Sequence, residues 1–166
     1  MNNYMKLEIA ARSENEGFAR SAVAAFTLCL NPTLSELSDI KTAVSEAVTN
    51  CIVHAYAREG EDKKILIECE AEKGEFGGVL HIGITDYGCG IADVEQALLP
   101  FYTTLAEEER SGMGFTIMQT FSDGFSVRSE QGKGTVVRMS KKIGCGSMDE
   151  NGCKTAVSDC ERTVNA

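Results

Sequence analysis

One stretch constrains the architecture more than any other. Between residues 34 and 57, Leu37, Ile40, Ala43, Val44, Ala47, Val48, Cys51 and Ala55 recur at helical spacing and line one face. A helix with a single apolar stripe is stable only when another layer covers that stripe. Four later segments have strand character and supply the layer: Lys64–Ala71, Val79–Asp86, Gly124–Glu130 and Gly134–Lys141. The first two are joined through a glycine-rich turn at 73–78, the last two through Gln131-Gly132-Lys133. Ahead of the helix, residues 5–10 alternate loosely and read as an edge strand. Ser13-Glu14-Asn15-Glu16 then offers an N-cap and capping box for another helix, with Phe18, Ala22, Val23, Ala25, Phe26 and Cys29 as its apolar positions. Asn31-Pro32-Thr33 ends it, and Thr33 or Ser35 caps the next. The pattern predicts a two-layer α/β (α+β) sandwich: a mixed, mainly antiparallel sheet with helices on one face.

At 166 residues and 17.9 kDa the chain suits one domain. That domain is expected over 1–143, followed at 144–166 by a polar, Gly/Ser-rich flexible tail without periodicity. The longest mostly apolar run, Ala22 to Leu30, is far below the ~20 residues of a membrane span. The first residues lack a secretory layout, so a cytoplasmic location is expected, with no membrane partner. The formal net charge is −9, and no Lys/Arg cluster exceeds a pair. A nucleic-acid-binding domain normally presents a basic face, so direct nucleic-acid binding is not expected. Seven cysteines show neither C-x-x-C nor zinc spacing, and Cys29, Cys51 and Cys69 read as small apolar fillers.

Several short patterns bear on chemistry. Glu46 and Asn50 stand one helical turn apart, just off the apolar stripe. An amide oxygen suits Mg²⁺, and a carboxylate one turn earlier suits a base; a solvated pair on an amphipathic helix has the same spacing. Asp86-x-Gly88-x-Gly90 follows a strand, where a carboxylate can accept a hydrogen bond from an adenine amine and glycines let the backbone turn closely around a ring. Ordinary turns also use Asp and Gly. Ser111-Gly112-Met113-Gly114 opens a helix, a setting that suits phosphates, with Arg110 just before it, although a flexible loop ending in a cap reads the same. Gly132-Lys133-Gly134-Thr135 is a tight hairpin whose Thr135 hydroxyl can reach a base, or simply a turn. The stretch 88–110 is long and rich in turn residues, as an active-site loop would be.

Taken in order, Glu-x-x-x-Asn, Asp-x-Gly-x-Gly, Gly-x-Gly and Gly-Thr resemble the GHKL (Bergerat) ATP-binding family, over residues 34–140. ARSENE-x-FAR at 11–20, SEAVTN at 45–50 and ERSGMGFTIM at 109–118 are further similar to the anti-sigma F factor family of endospore-forming bacteria, from about residue 5 to 140.

That resemblance implies a dimeric serine kinase using ATP, with ADP as product, and Mg²⁺. It implies a sporulation sigma factor and a small anti-anti-sigma protein with an acceptor serine as partners. By position Glu46 would be the base and Asn50 the Mg²⁺ ligand. Asp86 would bind adenine, supported by Gly88, Gly90 and Thr135. Thr103, Thr104 and Ser111, Gly112, Met113, Gly114 and Phe115 would line the phosphates as a lid. Arg20 and Arg110 match positions used for partner contact. The alternative is a non-catalytic, nucleotide-gated module that only binds the sigma factor. His54 is expected to pack near the phosphates and His81 to be structural or at the surface.

Overall fold

The computed structural model describes residues 2–56, 63–75, 77–101 and 112–144. Strand β1 (Asn3–Ala10) is followed by helix α1 (Glu14–Thr27), a single tight turn at Leu28–Leu30, and helix α2 (Leu34–Asn50). One wider turn, Cys51–Ala55, extends α2. Then come β2 (Lys64–Lys73), β3 (Gly78–Asp86), the short α3 (Val94–Ala97), α4 (Gly114–Thr120), β4 (Gly124–Glu130) and β5 (Gly134–Ile143). The sheet order is β1-β2-β3-β5-β4, and each of its pairings is antiparallel, with no parallel component among the described residues.

Alternation decides which side chains meet the helices. Ile65, Ile67 and Cys69 on β2, Leu80, Ile82 and Ile84 on β3, and Val137 and Met139 on β5 are buried on one face. Ile40, Ala43, Val44, Ala47 and Val48 of α2 complete the core with Met118 of α4. The other face is polar, with Lys6 paired to Glu68 and His81 beside Glu72.

The expected capping box at Ser13 does not form. Ser13 has a helical backbone and no side-chain cap bond, and Glu16 instead accepts from Ser45 of α2 and pairs with Arg20. Thr33 carries the box: it is extended, its Oγ1 accepts the Glu36 N–H, and Glu36 accepts the Thr33 N–H at 2.6 Å. The stripe of α1 is also rotated from the expected one. Ala19, Val23, Ala24 and Thr27 are buried, while Phe18 is exposed, because small residues allow α1 to lie close on α2. Thr27 satisfies its buried hydroxyl on the Val23 carbonyl at 2.8 Å. Within the expected loop 88–110, Asp93 caps α3 by accepting the Gln96 N–H at 2.9 Å. No helix among the described residues is long and apolar enough to cross a membrane.

Candidate functional site

The parity of β3 places Asp86. Leu80, Ile82 and Ile84 face the helices, so Asp86, two residues on, enters the same buried face. A carboxylate there needs partners. Its Oδ1 accepts the Gly88 N–H at 3.0 Å and the Thr135 N–H at 3.2 Å. The Cys51 side chain interacts with it as well. Burial pushes the Asp86 carboxyl above the usual carboxylate range, and the bonds from Gly88 and Thr135, with the Cys51 side chain, pull it partly back. Burial, and then the Asp86 charge, push the Cys51 thiol well up.

Close backbone approach holds this corner together. A Cβ on Gly88 would collide with the Ala55 carbonyl, at the end of the wide turn that follows α2. The Cys89 N–H donates to that same carbonyl at 2.8 Å, and the Cys89 thiol to the His54 carbonyl at 3.3 Å. Tyr56 locks the turn, donating its hydroxyl proton to the Lys64 carbonyl at 2.6 Å and accepting the Tyr87 N–H at 3.0 Å.

Glu46 and Asn50 project from successive turns of α2 into one cavity of about 710 Å³, whose wall also includes Asp86, Gly90 and Thr135. Gly112, Met113, Gly114 and Phe115 border it on the other side. A Cβ on Gly114 would lie 3.2 Å from the Glu46 Oε2 and from both polar atoms of the Asn50 amide, so a larger residue at the start of α4 would press on both side chains. The Phe101 N–H donates to the Gly112 carbonyl at 3.2 Å. Phe101 and Gly112 are therefore neighbours in space, with Gly112 in the cavity wall.

The structure thus brings Glu46, Asn50, Asp86, Gly90, Gly112–Phe115 and Thr135 together, with Gly88 behind the wall. Thr103, Thr104, Arg110 and Ser111 lie outside the described residues, as does the tail from 145. Arg20 does not line the cavity; its guanidinium is 3.4 Å from Glu16 on α1. His54 lines the cavity, and His81 lies on the polar sheet face. Sequence reasoning missed Cys51 as a partner of Asp86, since a thiol on an apolar stripe looks like filler. It also missed Gln96 of α3 in the wall, for which the Asp93-x-x-Gln96 cap was an available signal.

Comparison with known proteins bears on the same residues. A model of the histidine kinase-like ATPase domain matches residues 9–141. The anti-sigma F factor of Caldanaerobacter subterraneus subsp. tengcongensis is 54% identical over 143 residues, which are 86% of this chain and 96% of that one. The anti-sigma F factor of Clostridium botulinum strain Eklund 17B is 55% identical over 141 residues, 85% of this chain and 95% of that one. Among solved structures, the RsbU and RsbW domains of a Mycobacterium tuberculosis protein superpose with a TM-score of 0.56 at 14% identity, covering 85% of this chain and 32% of that one. The mycobacterial sensor histidine kinase MprB gives 0.50 at 14% identity, covering 85% of this chain and 98% of that one. At such identities the two structures speak to the fold alone.

Proposed function

The chain belongs to the histidine kinase-like ATPase family and, within it, to the anti-sigma F factors, and from that membership we propose a two-part function: it holds a sporulation sigma factor, and it phosphorylates a serine of an anti-anti-sigma protein with Mg-ATP. The observation that carries the reading is the meeting of Glu46, Asn50, Asp86 and Gly114 around one cavity.

The cavity has two chemically distinct ends. At the Asp86 end a buried acceptor and the Thr135 hydroxyl suit a base edge that carries an amine, with Gly88 and Gly90 allowing the chain to pass close by. At the other end Glu46, Asn50 and the start of α4 meet, a setting for phosphates and the attacking hydroxyl. Among the described residues no cluster of three or more His, Cys, Asp or Glu side chains holds a metal unaided. One amide oxygen beside a phosphate site does fit Mg²⁺, which keeps waters and takes the rest of its ligands from substrate phosphates. Asn50 would hold it there, and the ion would neutralise phosphate charge. Phosphoryl transfer asks mainly for alignment and such neutralisation. Glu46 accepts the serine proton. Thr103, Thr104, Arg110 and Ser111 belong to the same proposal as a lid, and Arg20 and Arg110 as partner contacts. A homodimer formed through the polar sheet face or α1, and a cytoplasmic location, complete it.

The test is transfer of labelled phosphate from Mg-ATP to the anti-anti-sigma protein, with Glu46→Gln alongside the parent. Glu46→Gln should keep nucleotide affinity and lose ~10²–10⁴-fold in turnover. Unchanged turnover would sink the role of Glu46. Binding without any transfer by the parent would leave a nucleotide-gated sigma-binding module instead.

A further inference from the structure

Ser129 of β4 has no place in the reading above, yet its hydrogen bonds determine the state of a residue that does. Its Oγ accepts the Ile91 N–H at 2.7 Å and donates to the Gly134 carbonyl at 3.0 Å. A carbonyl can only accept, so the single hydroxyl hydrogen of Ser129 is already used. Thr135 Oγ1 lies 2.9 Å from the same oxygen. By elimination Thr135 is the donor in that pair, directed at the remaining lone pair of Ser129. With its hydrogen held there, Thr135 presents only lone pairs to the cavity it lines. Its neighbour Asp86 is an acceptor too, with Oδ1 engaged by two backbone N–H groups, Cys51 beside the carboxylate, and its remaining lone pairs facing the cavity.

We propose that Ser129 is a positioning residue that fixes the Thr135 hydroxyl as an acceptor, so that this end of the cavity selects a 6-amino purine over its 6-oxo counterpart. The inference rests on the nucleotide reading above and extends it to the choice of base. A 6-oxo group would set an oxygen where the 6-amino base offers a donor to these acceptors, the situation in which polar sites discriminate best. Without Ser129 the Thr135 hydroxyl is free to rotate and can donate to an oxo group as readily as it accepts from an amine.

The experiment measures Kd for Mg-ATP and Mg-ITP, which differ in the six-position group and in the proton that ITP carries on N1, by calorimetry on the full chain. Parent, Ser129→Ala, Ser129→Thr and Thr135→Val are compared. The parent should prefer ATP. Ser129→Ala should narrow the ATP-to-ITP ratio by about 3- to 10-fold, the span of one neutral hydrogen bond. Ser129→Thr, which keeps the hydroxyl, should retain the parent ratio. Adding Thr135→Val to Ser129→Ala should narrow it no further, because both act through one hydroxyl. Equal weakening of both nucleotides in Ser129→Ala, at an unchanged ratio, would mean a structural role only and overturn the proposal. If Ser129→Ala does not fold, a narrowed ratio in Thr135→Val with a preserved one in Ser129→Thr still supports it, and any other pair of results overturns it. A parent that binds ATP and ITP alike refutes this inference alone. A parent that binds neither removes the nucleotide reading with it.

Discussion

Asp86→Asn separates recognition from folding at the buried end of the cavity. Asparagine keeps an oxygen for the Gly88 and Thr135 N–H groups but puts an NH₂ where the rest of the carboxylate stood. A ligand amine then meets a donor. A hydrogen bond to a charged group contributes ~1.5–3 kcal/mol, so ATP affinity should fall at least ~10- to 150-fold, before any donor–donor repulsion is added. The fold should not suffer, because burial opposes the charge at Asp86 and asparagine has none. The pH dependence has a definite sign. The folded state raises the Asp86 pKa, so the folded chain holds this proton to higher pH than the unfolded chain. Its contribution to stability is full below the unfolded value and is lost as pH rises through the raised folded value. Nucleotide affinity runs the other way, weakening as pH falls through that folded value and the acceptor is protonated. Both dependences should flatten in Asp86→Asn. Calorimetry for ATP from acidic to neutral pH and thermal melts at each pH read the two effects separately. Undiminished ATP affinity would refute the role of Asp86 in reading the base. A Tm loss above ~4 °C at neutral pH, more than ~1 kcal/mol for a chain of this size, would show that the fold needs the charge.

Gly114→Ala should leave Tm nearly unchanged, since alanine favours helix. It should lower phosphotransfer ~10-fold or more by pressing on Glu46 and Asn50, and a fall in Tm with normal turnover would contradict this. Lys141→Met removes a half-buried ion pair with Asp39 at 3.0 Å and a hydrogen bond to the Phe121 carbonyl at 2.9 Å. It should cost ~1–3 kcal/mol in denaturant titrations, whereas Lys6→Ala, from an exposed pair with Glu68, should stay within ~0.5 kcal/mol; equal losses would refute the distinction. Alkylation at pH ~8 followed by peptide mapping should modify exposed Cys89, slowed by ATP. Cys51 and Cys69 should be spared, as burial raises both thiols, Cys69 to about 12. Labelling of Cys69 at the rate of Cys89 would contradict that burial. With a net charge of −9, association with the sigma factor should weaken as salt rises, and a salt-independent Kd would count against a charge-guided contact.

What could be read from the chain, and what could not, divides along the range of the interactions involved. Strand alternation is local, so β4 falls on its expected residues and β3 and β5 differ by one or two. Caps depend on backbone state, which tertiary packing sets. Ser13 and Glu16 have the residues of a capping box, but Ser13 has a helical backbone and Glu16 bonds Ser45 of α2, whereas Thr33 is extended and its box forms. At the site, Glu46, Asp86 and the glycines are each ordinary alone, and only their order along the chain marks them. Ser129 and Cys51 carry no local signal at all. One meets Ile91 across 38 residues of sequence and the other sits against the strand-end Asp86, so each acquires a role only once the sheet is assembled.

The order of the motifs is informative because strand parity converts it into position. Asp86 reaches the cavity only because it stands an even number of positions beyond Leu80, and Thr135 joins it because β5 pairs antiparallel with β3 in one register. One residue inserted between Ile84 and Asp86 would turn the carboxylate to the polar face while leaving every motif intact. Such an insertion should abolish nucleotide binding with Glu46, Asn50 and the glycines all still in place. The motifs therefore name the chemical groups, and the pairing of β3 with β5 makes them a site.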